Sequence, residues 1–171
     1  MALDISKIKI INDGFYRDEL RGVYKYSMLA SDNPGTKTGA KIEVMKEIYG
    51  ANRLPKGVEA TKETIEKPGI YDWMYHAEFD AYHKITREGI SLEGATMVIP
   101  WFPCKHCAWL IADSGIVRIV SHLEMLILGN GDDYGFEIAQ KMLLKNGIEL
   151  LAYQGKIGDC EHLFRGKLWN P

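Results

Sequence analysis

The stretch Ala95-Thr96-Met97-Val98-Ile99, Pro100-Trp101-Phe102-Pro103, Cys104-Lys105-His106-Cys107-Ala108-Trp109-Leu110-Ile111-Ala112-Asp113, Ser114-Gly115, Ile116-Val117-Arg118-Ile119-Val120 reads as strand, loop, helix, turn and strand. Pro100 stops the first strand, and Ser114-Gly115 stops the helix. Both strands are apolar at successive positions, the pattern of strands covered on both faces by helices. A strand that feeds a short helix and returns to a second strand is the unit of a layered α/β domain.

The same alternation extends outward. Tyr16, Leu20, Val23, Tyr24, Ser27 and Met28 recur at helical spacing from Gly14, with Ser31-Asp32-Asn33-Pro34-Gly35 as the stop. Residues 41–45 alternate as a strand, with a short partner strand over 47–50. Residues 53–72 are polar and carry Pro55, Gly57, Pro68 and Gly69, which predicts a loop with one helical turn over 61–66. A loop of about 20 residues in a compact domain often serves function. Helices are predicted over 75–87 and 134–146, and a strand over 148–153. Residues 1–13 read as a docking arm. Residues 155–171 lack a core pattern and read as a tail that packs on the body or on a partner subunit through Leu163 and Trp169. One domain is expected over 1–171.

Composition narrows the function classes. The 171 residues hold 21 Lys and Arg against 23 Asp and Glu, net charge -2, which disfavours a dedicated nucleic-acid binder. No apolar run reaches the roughly 20 residues of a membrane helix, and Met1-Ala2-Leu3-Asp4-Ile5-Ser6-Lys7 lacks a secretory pattern. A cytoplasmic location, no membrane and a small-molecule substrate are the expectations. Three cysteines make a disulfide framework implausible.

Cys104 and Cys107, three residues apart at a helix start, can present both sulfurs on one face, where the helix dipole favours thiolates. The pair alone is compatible with metal binding or with thiol redox chemistry. His76 opens the preceding helix and can add a nitrogen ligand, whereas His106 points off the shared face. Two sulfurs and one imidazole suit Zn²⁺ and leave a fourth position for water. Glu78, two residues beyond His76, is placed to take a proton from that water.

His76-Ala77-Glu78, followed by Pro103-Cys104-Lys105-His106-Cys107, resembles the signature of the zinc-dependent cytidine deaminase superfamily. The wider chain is similar to its deoxycytidylate deaminase branch. The matching segments are Asn33-Pro34-Gly35-Thr36-Lys37-Thr38-Gly39-Ala40, Gly50-Ala51-Asn52-Arg53-Leu54-Pro55-Lys56-Gly57, His76-Ala77-Glu78-Phe79-Asp80-Ala81, Glu93-Gly94-Ala95-Thr96 and Ser114-Gly115-Ile116. The resemblance implies a three-layer α/β/α fold on a central mixed sheet of about five strands. It implies hydrolytic deamination of a free cytosine mononucleotide, dCMP to dUMP and ammonia. One Zn²⁺ per chain would be held by His76, Cys104 and Cys107, with Glu78 shuttling protons. Ala77 would help fix the base, Asn52 would meet the sugar hydroxyl, and Thr36 and Lys37 would lie in the substrate loop. Phe102 and Trp101 are the aromatic candidates for the pocket wall, and Arg53 and Lys56 are candidate phosphate contacts. Relatives assemble as dimers or hexamers, so a homo-oligomer is expected.

The chain departs from the branch in several places. Leu29-Ala30-Ser31 stands where a basic residue is usual, Thr38 replaces a valine, and Asp80 replaces an asparagine. Residues 53–72 contain no Cys or His for an additional structural zinc. Two other readings stay open: deamination of another small aminated base or nucleoside, and a catalytically silent deaminase-fold binding module. Loss of Glu78 would have marked the latter.

Overall fold

Six strands form the main sheet in the computed structural model, which describes residues 2–130 and 134–171. In chain order the elements are β1 (Lys9–Ile11), α1 (Gly14–Ala30), β2 (Gly39–Glu43), β3 (Glu47–Ala51), α2 (Lys62–Ile65), α3 (Ile70–Trp73) and α4 (Ala77–Arg87). They continue with β4 (Thr96–Val98), α5 (Lys105–Ala112), β5 (Arg118–His122), α6 (Leu123–Leu128), α7 (Phe136–Lys145), β6 (Glu149–Tyr153), β7 (His162–Phe164) and β8 (Lys167–Trp169). The sheet order is β1-β6-β5-β4-β2-β3, and β7 and β8 form a separate hairpin. Strands β1, β6, β5 and β4 are parallel, while β2 pairs antiparallel with both β4 and β3. Five strands therefore run one way and β2 alone runs the other.

Successive strand residues point to opposite faces, and both faces are covered. Ile42, Met97, Ile119 and Leu150 meet Ala77, Ala81 and Ile85 of α4, Ala108 and Ile111 of α5, and Ala139 and Leu143 of α7. Val98, Val120 and Leu151 meet Leu20, Val23 and Tyr24 of α1, with Ile157 from the tail. The expected α/β/α layering is thus present, with six strands where about five are expected.

The sequence reading departs from the structure in five places. Residues 9–11 of the opening arm form edge strand β1, too short to show a period; Met1 of that arm lies outside the described residues. The 53–72 loop holds two short helices, of which only α2 was expected. The strand predicted over 41–45 runs two residues earlier, because Lys41 is fully buried rather than solvent-facing. Its ammonium pairs with Glu19, Glu43 and Glu47 beneath α1. Helix α6 follows β5 with no turn signal between them. The tail forms a hairpin that packs on the body, where Trp169 stacks on His122 and His162 lies edge-on to Tyr24.

Helix α4 lies against β3 at Gly50. A Cβ there would overlap the Ala77 carbonyl oxygen and the Ala81 nitrogen, and would come within 2.9 Å of the Ala81 Cα. The obstacle is backbone, so it cannot turn aside as a side chain would. Gly50→Ala is expected to lift the start of α4, which carries His76, and to cost about 1–3 kcal/mol in denaturant unfolding. An unchanged unfolding midpoint would contradict this packing.

Candidate active site

Two helix starts meet at the edge of the sheet where β3 and β4 end. His76 is the N-cap residue of α4, and Cys104 is the N-cap residue of α5. An isolated bridge between Arg53 and Tyr75 closes the 53–75 segment and delivers His76 to its position. His76 Nδ1 lies 3.4 Å from Cys104 Sγ and 3.6 Å from Cys107 Sγ. The three donor atoms all lie within 4.8 Å of one another, a grouping that can hold a metal ion. A second grouping, Glu19, Glu43 and Glu47, also meets that limit, but the Lys41 ammonium already sits among its carboxylates.

The charges in the first cluster are strongly perturbed. Hydrogen bonding from the Cys107 thiol, and then from His76, pulls Cys104 down to about 4. His76 is pushed up to about 9, chiefly by its hydrogen bond to Cys104. The Cys107 thiol is pushed up by sharing its proton with Cys104 and by burial. The cluster thus favours negative charge on Cys104 and positive charge on His76, and disfavours a second thiolate at Cys107. Glu78, 3% exposed, is raised to about 7 by burial, against the pull of His76.

These groups open onto a cavity of about 830 Å³. His76, Ala77, Glu78 and Cys104 form part of its lining, and Cys107 lies buried beneath. Trp101, Phe102, Tyr134 and Phe136 also line the cavity, their rings meeting edge-on or stacked at 5.1–5.9 Å. Trp101 is anchored by its indole N–H, which donates to the Gly129 carbonyl at 3.1 Å. The 53–75 segment supplies the opposite wall through Ile65, Ile70, Tyr71 and Met74.

Asn52 and Thr36 line the cavity as well. The Asn52 Oδ1 accepts from Ser31 Oγ and from the Thr38 N–H, and its Nδ2 donates to the Thr36 carbonyl. One amide hydrogen is left for a ligand, so Asn52 is mainly a clamp on the 31–38 loop. Three predicted contacts lie outside the lining. Lys37 Nζ turns away to donate to the Ser31 carbonyl at 2.7 Å. Arg53 is committed to Asp80, at 2.7 Å through Nε and 2.5 Å through Nη2. Lys56 is exposed beyond the cavity.

Asp80 is fully buried, yet its pKa is lowered. Burial pushes it up, but hydrogen bonds from Arg53, Lys84 and the Ala51 N–H overcome that. Its negative charge is thus neutralised within the fold and does not face a ligand. The sequence reading missed Arg165, Lys67 and Tyr71 as lining residues; none stands near a chemical motif. His122, at the end of β5, is buried against Tyr24 and lies outside the lining.

Three measurements check this arrangement. Cys104→Ala or Cys107→Ala should each remove the metal, against about one ion per chain in the wild type; unchanged stoichiometry would exclude the cluster. His76 and Cys107 must shed protons to act as ligands, so affinity should fall as pH drops from 8 to 6, by about ten- to a hundredfold per unit. A pH-independent affinity would contradict the upward shifts of His76 and Cys107. Arg53→Met leaves Asp80 with Lys84 and the Ala51 N–H and should cost about 2–3 kcal/mol, less than a fully orphaned buried charge, read by denaturant unfolding.

Comparison with known proteins agrees with this geometry. The family described as cytidine and deoxycytidylate deaminase zinc-binding region matches residues 23–123. The uncharacterized deaminase in the luxG 3′ region of Aliivibrio fischeri is 30% identical over 124 residues, covering 70% of this chain and 81% of that protein. The deoxycytidylate deaminase of enterobacteria phage T2 is 49% identical over 45 residues, covering 26% of this chain and only 24% of the phage protein. The crystal structure of dCMP deaminase from cyanophage S-TIM5, in complex with dCMP and dUMP, shares the fold. Its TM-score is 0.62 at 16% identity, covering 84% of this chain and 99% of that one.

Proposed function

Because the chain belongs to the cytidine and deoxycytidylate deaminase zinc-binding family, we propose that it deaminates a free cytosine mononucleotide hydrolytically, converting dCMP to dUMP and ammonia, with Zn²⁺ as its metal. The observation that carries this reading is the meeting of His76, Cys104, Cys107 and the buried Glu78 on one side of an aromatic-walled cavity. Soft sulfur and imidazole donors suit Zn²⁺, and His76, Cys104 and Cys107 would hold it. Bound there, the ion supplies Lewis acidity that lowers the pKa of a water molecule.

The rest falls to the chain's own side chains. Glu78, raised to about 7 by burial, can both take and return a proton near neutrality. As a carboxylate it would take one proton from water and pass it to the ring nitrogen as the oxygen bonds to C4. It would then carry the remaining proton from the new C4 hydroxyl to the amino group, so that the C4–N bond breaks, the oxygen stays as the carbonyl and ammonia leaves. Phe102, Trp101 and Phe136 offer a flat apolar wall to a pyrimidine ring. Ala77 lies in the first turn of α4, where its N–H has no intrahelical partner and is available to the base. The remaining Asn52 amide hydrogen faces the sugar. The mononucleotide assignment draws on the phage relatives, whose names specify deoxycytidylate.

Ammonia release by the zinc-loaded protein, compared on dCMP, deoxycytidine and guanine, tests the reading. A preference for dCMP is expected. Glu78→Gln should keep the fold and the metal while lowering turnover about 10²–10⁴-fold. Turnover of guanine in place of cytosine compounds would reassign the substrate. Near wild-type turnover in Glu78→Gln would remove its role.

A further inference from the structure

We infer that Arg165, at the turn between β7 and β8, recognises the phosphate monoester of the substrate and so determines preference for a nucleotide over a nucleoside. This rests on the mononucleotide reading above. Arg165 lies outside the residues 23–123 that match the family, and the fold brings it to the cavity from the tail.

The hairpin is fastened to the cavity wall at several points. The Lys37 N–H donates to the Leu163 carbonyl at 3.0 Å, the Gly166 N–H to the Gly35 carbonyl at 2.7 Å, and the Arg165 N–H to Thr36 Oγ1 at 3.0 Å. Gly35 and Thr36 themselves line the cavity. Phe164 packs edge-on to Trp101 at 5.5 Å, and the Arg165 guanidinium lies over the Phe164 ring at 4.9 Å. Its backbone and the face of its guanidinium are therefore held, yet among the described residues its guanidinium N–H groups make no hydrogen bond or ion pair. A planar fork of free donors at a cavity mouth matches phosphate geometry.

Lys67, the other cation in the lining, lies over the Tyr71 ring at 5.6 Å, and the three cations singled out from the sequence are excluded by their partners or their place. Lys37 is bonded to the Ser31 carbonyl, Arg53 is held by Asp80, and Lys56 does not reach the lining. Arg165 also adopts φ 50°, a left-handed conformation that glycine takes freely and other residues resist. Turn chemistry alone therefore does not call for arginine here, and a strained residue at a cavity rim points to a role in binding.

Calorimetric binding of dUMP and of deoxyuridine to the zinc-loaded wild type, Arg165→Ala, Arg165→Gly and Arg165→Lys tests the assignment. The wild type should bind dUMP about tenfold or more tighter than deoxyuridine. That ratio should fall towards one in the Ala and Gly variants and recover in part with Lys. Arg165→Gly suits the left-handed turn, so a collapsed ratio with an intact thermal transition reports lost recognition rather than lost structure. A wild type without preference for dUMP, or an Ala variant that retains it, overturns the proposal. Deamination kinetics separate this outcome from the parent reading. A dCMP preference that survives in Arg165→Ala removes Arg165 and leaves the nucleotide reading intact. A wild type that does not turn over dCMP removes the dCMP reading, while the dUMP ratio still decides Arg165.

Discussion

The reversal of a single strand sets where chemistry can assemble in this protein. Because β2 is antiparallel to both its neighbours, β3 and β4 run in the same direction with one strand between them. Their C-terminal ends share one edge of the sheet, so α4 and α5 both begin there. Open α/β sheets generally bind ligands at the carboxyl ends of their strands, and here the geometry supplies the reason residue by residue. A histidine that starts one helix and a cysteine that starts the other come within 3.4 Å of each other there. Gly50 completes the constraint, since only a residue without a Cβ lets α4 lie this close to β3.

That convergence gathers unpaired helix N–H groups and dipole ends at a buried place, which favours negative charge on sulfur. It also withdraws Glu78 from water, and burial is what brings its pKa close to 7. A buried carboxylate elsewhere would be a liability, and Asp80, two residues further along α4, shows how the fold deals with one. Arg53, Lys84 and the Ala51 N–H surround it, and the same contacts tie the end of β3 to α4. The aspartate that stands where the family has an asparagine is therefore part of the scaffold. Glu78, by contrast, lines the cavity, which Asp80 does not, and among the described residues it has no comparable pair of cations.

The Cys104/Cys107 spacing and the His76-Ala77-Glu78 run were legible in the sequence because they are local, and their chemistry is set by positions within one helical turn. The alternation of helices with apolar strands was legible for a similar reason: Met97 with Val98 and Ile119 with Val120 must face opposite layers. Lys41 was not, because a lysine in an alternating strand looks solvent-facing until Glu19, distant in sequence, is folded over it. Arg53 and Lys37 read as ligand contacts on the same account, whereas the structure gives each an internal partner. A basic residue beside a binding motif has no sequence mark that separates a free cation from one already bonded to Asp80 or to the Ser31 carbonyl. Residues 162–169 carry no apolar period since each strand of their hairpin has only three residues.

The family match spans 23–123 and contains the His76, Cys104 and Cys107 cluster and Glu78, whereas two of the cavity's walls lie partly or wholly in segments without long regular elements. The 53–75 segment contributes short helices that could not persist alone, held by the Arg53–Tyr75 bridge. The 155–171 tail contributes a two-stranded hairpin, equally marginal by itself, held by Tyr24, His122 and the 35–37 loop. Short elements fixed by tertiary contacts can change sequence and length without disturbing the sheet edge where the two helices start. Chemistry and recognition are thereby assigned to different physical structures: one that tolerates almost no displacement, and one whose side chains can be exchanged while the donors beneath stay in register.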